Sequence, residues 1–249
     1  MNRVKLLLEY DGSNYHGFQI QKNADTVQAR LEEAIFRLSG ERVVMICAGR
    51  TDAGVHALGQ VVAFNTEASI PGERWAFAVN TFLPADIQVL NSQYIHASFN
   101  PRFDALSKRY IYRILRSKEH KVFNRNHALC IHENLDVGLM QEACGFFIGR
   151  HNFRAFCASG SSAKTFERLV SKCCLIETGN RLDMEIEANG FLYNMVRIIV
   201  GTLLEAGRRK YPPSHIKEII ASRDRTLAGP TVPPQGLYLA EVKYNNTEK

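Results

Sequence analysis

Gly49-Arg50-Thr51-Asp52-Ala53-Gly54-Val55-His56-Ala57 is the stretch from which the fold of this 249-residue chain can be worked out. An apolar run at 43–48 precedes it and another at 61–64 follows it, and the β-branched residues in both predict strands. The glycine-rich stretch therefore predicts a tight connection between two strands of a sheet.

Asp52 is the candidate reactive group of this connection. Gly49 and Gly54 allow the backbone to turn sharply and leave the Asp52 side chain accessible. Arg50, two residues earlier, could hold the carboxylate ionised. The competing interpretation is that an Asp in a glycine-flanked turn only accepts hydrogen bonds from its own backbone. Local chemistry leaves both interpretations open.

Outward from this turn, hydrophobic periodicity predicts alternating strands and helices. In the first half, we expect strands at 4–10, 59–66 and 87–95, a helix that Asp25 caps and Gly40 ends, and a helix starting near Pro71. In the second half, we expect strands at 108–115, 168–177, 181–188 and 237–242, helices at 135–148, 191–206 and 214–221, and a mobile polar loop at 149–164. The halves echo each other, which predicts two related domains, 1–105 and 106–249.

The net charge of +6 is concentrated in the second half. Residues 1–105 have a net charge of −2 and residues 106–249 a net charge of +8. Within 102–125 the net charge is +6, with four interleaved aromatic residues. The charged and aromatic residues of this run are Arg102, Phe103, Asp104, Lys108, Arg109, Tyr110, Tyr112, Arg113, Arg116, Lys118, Glu119, Lys121, Phe123 and Arg125. Clustered positive charge among aromatics suits a polyanion whose bases can stack, although a solvated strand face would have the same composition.

Composition excludes several other classes of protein. The six cysteines form no CxxC pair and no zinc-type Cys/His spacing, so we expect neither a metal site nor disulfides. The first residues lead directly into a predicted strand, and no apolar run is long enough to span a bilayer. We therefore expect a globular cytoplasmic protein.

Taken together, these segments resemble the bacterial tRNA pseudouridine synthase A family over nearly the whole chain. The 49–57 block is highly specific, whereas each other matching segment would be weak evidence alone. The other segments are Tyr10-Asp11-Gly12, Gly17-Phe18-Gln19-Ile20-Gln21, Thr26-Val27-Gln28, Gly59-Gln60-Val61, Phe99–Phe103, Arg109–Arg113 and Gly190–Arg197. The chain departs from the family pattern at Phe18, where Trp is expected, and at Asn194, where His is common.

The resemblance implies a function and roles for individual residues. It implies isomerisation of uridine to pseudouridine in the anticodon stem-loop of tRNA, at positions 38 to 40, without cofactor or metal. Asp52 matches the catalytic aspartate, Arg50 the arginine beside it, and Arg197 the basic residue that pairs with the aspartate. Tyr110 matches the tyrosine that packs on the target uracil. We expect Arg102, Lys108, Arg109 and Arg113 to contact RNA phosphates.

The resemblance also implies an architecture. It predicts two α+β halves that share one mixed, mainly antiparallel sheet, with a basic cleft between them, and a homodimer that grips one tRNA. Two rival functions remain: an RNA-binding protein without catalysis, and a hydrolase that uses Asp52 against a glycosidic bond. Glycoside hydrolysis ordinarily requires a second carboxylate, and none lies near Asp52 in the sequence.

Overall fold

The structure is a computed structural model that describes residues 1–117 and 122–245. The chain divides into two compact units. Unit 1 contains Met1–Leu106 and the segment that begins at Tyr238, and unit 2 contains Ser107–Leu237. The functional division into a catalytic-aspartate half and a basic half stays a prediction.

The described residues form ten strands and five α-helices. The strands are β1 (Asn2–Tyr10), β2 (Ile46–Cys47), β3 (His56–Thr66), β4 (Ile87–Ile95), β5 (Ser107–Arg116), β6 (Leu129–Ile131), β7 (Gly149–Asn152), β8 (Glu167–Thr178), β9 (Arg181–Ala188) and β10 (Leu237–Lys243). The helices are α1 (Val27–Ser39), α2 (Trp75–Asn80), α3 (Val137–Gly145), α4 (Met195–Gly207) and α5 (His215–Ser222). Among these residues no helix combines the length and apolar content that crossing a membrane requires.

Unit 1 is built on β1, which pairs antiparallel with β3 on one side and with β4 on the other. β2 pairs antiparallel with β3, and β10 pairs parallel with β3 through Tyr238 opposite His56. Alternate residues of β1 are buried, so one face of this strand packs into the core. Phe64 and Trp75 are fully buried there and meet edge to face with ring centroids 5.2 Å apart.

Helix α1 begins one residue later than the sequence predicts. Thr26, not Asp25, is the cap, and its hydroxyl accepts a hydrogen bond from the Ala29 N–H at 3.4 Å. The Asp25 carboxylate instead forms an ion pair with Arg30, whose Nε donates to Asp25 Oδ1 at 2.9 Å. Gly40 ends the helix with φ +75°, as expected of a left-handed C-terminal residue.

Unit 2 is organised around β9, which pairs antiparallel with β5 and β8. β7 pairs antiparallel with β8, and β6 lies parallel to β5. Each unit thus has a mostly antiparallel set of strands with one parallel pairing. The predicted α+β class with a mixed, mainly antiparallel sheet is confirmed.

The segment 149–164 is more ordered than the predicted mobile loop. Its first four residues form β7, and Phe153 and Phe156 are fully buried. Phe156 packs edge to face against Phe147, with centroids 5.2 Å apart. Although most residues of the segment are polar, its two buried phenylalanines pack into the core and stabilise this connection.

Helix α4 is buried on almost every side. From Met195 to Gly207 all residues are buried except Arg197. The sequence predicts one apolar stripe, but Thr202 is also buried, and its hydroxyl donates to the Ile198 carbonyl at 2.8 Å. Because the helix is buried on most sides, Arg197 extends from a backbone that is packed against the rest of the unit.

Candidate active site

The Asp52 turn connects β2 to β3 within unit 1. It begins where the Ala48 N–H donates to the Val61 carbonyl at 2.8 Å, and it closes where the Val55 N–H donates to the Asp52 carbonyl at 3.1 Å. Gly54 has φ +75°, a conformation that side chains with a Cβ disfavour. Asp52 itself is half-buried at the turn. A carboxylate in this position can serve as a nucleophile or as a base.

Gln60 fixes the start of the turn. Its side chain is completely buried, and its Nε2 donates to the Gly49 carbonyl at 2.6 Å. Its Oε1 accepts from the Gly49 N–H at 3.4 Å and from the Val61 N–H at 3.2 Å. The amide therefore binds both polar groups of Gly49, much as a neighbouring strand would. We call this contact the Gln60 clamp.

Thr51, directly before Asp52, is held by a second set of contacts. Its Oγ1 lies 2.7 Å from the hydroxyl of Tyr10, and its carbonyl accepts from the Phe18 N–H at 3.1 Å. Burial raises the pKa of Tyr10 well above its usual range, so the phenol stays protonated and can donate. A Cβ on Gly17, whose φ is +92°, would lie 2.7 Å from the Thr51 carbonyl oxygen. Only glycine permits this close approach of the two loops.

The far end of the turn packs against the loop that follows β1. A Cβ on Gly12 would lie 2.0 Å from the Val55 carbonyl oxygen, so this contact also requires glycine. The Gly12 N–H donates to Nδ1 of His56 at 3.1 Å, and the same nitrogen lies 3.1 Å from Asp11 Oδ1. The buried His56 ring stacks on Tyr238, with centroids 4.6 Å apart. Asp52 therefore lies on a turn whose two ends are both fixed.

Arg50 and Arg102 are the other predicted site residues of unit 1, and both are exposed. Arg50 lies two residues before Asp52 on the same turn. The Arg102 guanidinium lies 5.6 Å from the centre of the Phe103 ring, a cation–π contact at the surface. The mobility of a long exposed side chain suits Arg50 for contact with a ligand.

Tyr110 lies on β5 in unit 2, opposite Ile186 of β9. It is only 8% exposed, and its ring meets Phe191 edge to face with centroids 5.0 Å apart. The predicted strand at 108–115 is confirmed as β5, in which Tyr110, Tyr112 and Ile114 are buried and the intervening residues are not. Phe191, for which the sequence predicted no role, packs against the Tyr110 ring and restricts its orientation.

Arg197 is the one incompletely buried residue of α4. Its Nε donates to the Val232 carbonyl at 2.8 Å, and its Nη1 donates to Asn194 Oδ1 at 2.8 Å. Asn194 has φ +59°, a left-handed conformation that asparagine tolerates better than most residues. Asn194, one of the two departures from the family pattern, thus supplies both the backbone turn before α4 and an acceptor that orients Arg197.

Arg109 and Arg113 face an acidic strand. In the β5–β9 register Arg109 lies opposite Glu187 and Arg113 opposite Asp183, and Arg109 Nη1 is 3.5 Å from Glu185 Oε1. Cross-strand pairs of opposite charge stabilise a sheet. Arg109 therefore contributes to the pairing of β5 with β9, and the binding of RNA phosphates by both arginines stays a prediction.

Lys108 lies at the start of β5, half-buried and opposite Ala188. Lys118 and Lys121, which contribute to the predicted basic run, lie outside the described residues.

No role was predicted from the sequence for Gln60, Thr51 or Tyr10. Gln60 was detectable in principle, because it is a polar residue beside the apolar run of a predicted strand. Tyr10 and Thr51 are ordinary residue types, 41 positions apart, and no local pattern links them. Unit 1 brings these three residues together around the peptide that carries Asp52.

Comparison with known proteins shows the family of the chain. A family model described as tRNA pseudouridine synthase matches residues 7–104 and 143–245. A tRNA pseudouridine synthase A of Syntrophomonas wolfei is 65% identical over 249 residues, covering all of both chains. Proteins of the same name from Acetivibrio thermocellus and Bacillus pumilus are 49% and 44% identical, each over 98% of this chain and all of the relative. The chain belongs to the tRNA pseudouridine synthase family.

Proposed function

We propose that this protein converts uridine to pseudouridine in the anticodon stem-loop of tRNA, at positions 38 to 40, with Asp52 as the catalytic carboxylate. The observation that carries the proposal is the fixed turn. Asp52 follows Thr51, whose hydroxyl and carbonyl are both bound within the protein, and the Gln60 clamp holds the peptide two residues further back. Preorganising a reactive group in this way lowers the cost of reaching the transition state.

The reaction requires only groups that a protein can supply. The C1′–N1 bond breaks, the uracil rotates, and a bond forms between C1′ and C5. C5 loses its proton and N1 gains one, so nothing is oxidised or hydrolysed. This balance supports a mechanism without cofactor or metal. Asp52 would act either as the nucleophile or as the base near the sugar.

Arg197 is proposed to keep Asp52 ionised in a site dried by the bound base. Its two fixed hydrogen bonds, to Val232 and Asn194, support a positioned cation rather than a mobile one. Replacing Arg197 should therefore lower kcat more than it weakens tRNA binding.

Tyr110 is proposed to stack on the target uracil once that base has left the helix. Unstacking a base costs a few kcal/mol, and stacking on an aromatic ring returns about 1–3 kcal/mol. The edge-to-face contact with Phe191 supports this role, because it fixes the ring plane in advance. Arg50, exposed beside Asp52, is proposed to fill the space that the base vacates.

Recognition of the tRNA is proposed to rest on phosphate contacts from Arg102, Lys108, Arg109 and Arg113, and on a homodimer that grips one tRNA. Such contacts position a nucleic acid without reading its sequence. The shape of the tRNA, more than base identity, would then select the uridines that react.

The experiment is to incubate the protein with unmodified tRNA transcripts and map pseudouridine by primer extension after carbodiimide treatment. We expect signals at positions 38 to 40, and none in a transcript whose uridines there are replaced by cytidine. Pseudouridine confined to other positions would contradict the proposed site. Its complete absence, with tRNA still bound, would favour the RNA-binding protein without catalysis.

A further inference from the structure

A short turn between β5 and β6 displays an unusually exposed aromatic side chain. Residues Val122–Asn124 form one turn of 3-10 helix. Phe123 is 92% exposed and its neighbour Val122 is 63% exposed. Exposed apolar groups on a protein surface often mark a binding site when they are clustered.

Hydrogen bonds hold the backbone on both sides of Phe123. The Arg125 side chain donates from Nη1 to the Val122 carbonyl at 2.8 Å. The N–H groups of His127 and Ala128 donate to the Asn124 carbonyl at 2.9 and 3.0 Å. The ring is thus presented by a turn with its own hydrogen bonds, which reduces the entropy lost on binding.

The chemistry around Phe123 fits RNA. From 120 to 132 the sequence contains no Asp or Glu, and Arg125 is exposed beside two exposed asparagines, Asn124 and Asn126. An aromatic ring stacks on an unpaired base, amides hydrogen-bond base edges, and a guanidinium binds phosphate. A purely apolar protein partner would offer no negative charge to the Arg125 guanidinium, whereas RNA phosphates would.

We propose that the turn at 122–126, which we call the Phe123 turn, stacks on an unpaired base of the tRNA other than the uridine that reacts. The proposal rests on the proposed function, because that function supplies the RNA. The turn lies between the two segments that the family model matches, 7–104 and 143–245, so the match to the family does not itself assign this contact.

The test measures quenching of tryptophan fluorescence by tRNA. Trp75 is the sole tryptophan and is fully buried, so it gives a background signal that solvent and ligands do not reach. Phe123→Trp places a fluorescent reporter on the turn of the full-length protein. Phe77→Trp is the matched control, because Phe77 is 74% exposed on α2 in unit 1. We expect added tRNA to quench the residue at 123 saturably and the residue at 77 little.

Binding and turnover complete the test. Phe123→Ala should weaken tRNA binding about 5- to 150-fold, the range expected for one stacked base. Phe123→Leu should behave like the alanine variant if stacking matters, because leucine is apolar but has no ring. Phe123→Trp should bind about as tightly as the wild type.

Three outcomes would overturn the proposal. The first is unchanged tRNA affinity in Phe123→Ala together with no quenching at 123, in a protein that still makes pseudouridine. The second is a leucine variant that binds like the wild type, which would mean a simple apolar contact. The third is a change in sedimentation of Phe123→Ala with tRNA affinity intact, which would assign the turn to a second copy of the chain. Quenching at 123 in a protein that makes no pseudouridine would support the contact and refute only the proposed function.

Discussion

Replacing Gln60 with leucine tests whether the fixed turn controls catalysis. Leucine is close to glutamine in size but makes no hydrogen bonds. The substitution removes the donor to the Gly49 carbonyl at 2.6 Å and the acceptor for the Gly49 and Val61 N–H groups at 3.4 and 3.2 Å. The part of the turn that carries Asp52 then loses its anchor to β3.

The size of the effect follows from these bonds. A buried polar group left without a partner costs about 1–3 kcal/mol. Gly49 is half-exposed, so water can replace part of what is lost, and the two longer bonds contribute less than the short one. Summed over the three bonds and reduced for these two reasons, the cost is about 2–3 kcal/mol. If this whole cost adds to the activation free energy, because Asp52 must be brought back into position for each reaction, kcat falls about 30- to 150-fold.

The assay is the rate of pseudouridine formation at several tRNA concentrations, with thermal unfolding measured in parallel. We expect kcat to fall and KM to change little, because the clamp holds Asp52 and not the RNA. Gln88→Leu is the control, since Gln88 is exposed on β4 of the same unit and should have nearly wild-type kinetics. A folded Gln60→Leu protein with kcat within about twofold of the wild type would refute the reasoning.

Three further predictions concern Thr51, Asn194 and salt. Thr51→Val should lower kcat about tenfold because it removes the hydroxyl 2.7 Å from Tyr10, and Thr51→Ser should restore most of it; equal kcat for the two variants would exclude a role for this hydrogen bond. Asn194→Gly should reduce turnover less than Asn194→Ala, because both lose the acceptor for Arg197 but only glycine adopts φ +59° without strain; the reverse order in measured kcat would contradict this account. Affinity for tRNA should fall steeply with salt, with a slope of log K against log salt of about −0.7 to −0.9 per phosphate contacted, and a flat dependence in filter binding would argue against phosphate contacts.

Much of the fold was predictable from local patterns. The period-two alternation of β5 identified its buried face, and the run at 87–95 identified β4 with its bounds. The glycine-flanked Asp52 turn followed from the strands on either side of it. These features depend on residues close in sequence, for which periodicity is informative.

Contacts between distant residues were not predictable. The Gln60 clamp depends on how the chain passes from the turn into β3, and the Tyr10–Thr51 contact joins the end of β1 to the turn. The position of Tyr238 beside His56 depends on the last strand returning to β3, and no pattern in 237–242 indicates its neighbour.

The surroundings of the basic residues at 102–125 were likewise not predictable from their sequence. Its composition predicted a surface for a polyanion, but the register of β9 places Asp183 and Glu187 opposite Arg113 and Arg109. Register is set by tertiary pairing, so a count of charges along one segment cannot show which of them lie opposite carboxylates of another strand.

The central claim is that Asp52 is the catalytic carboxylate, and release of tritium from tRNA labelled at uridine C5 tests it most directly. Asp52→Ala is compared with the wild type and with Asp25→Ala, which removes a carboxylate paired with Arg30 at the surface of the same unit. We predict release by the wild type and by Asp25→Ala, and none by Asp52→Ala although it still binds tRNA. Equal release by all three proteins would contradict the claim.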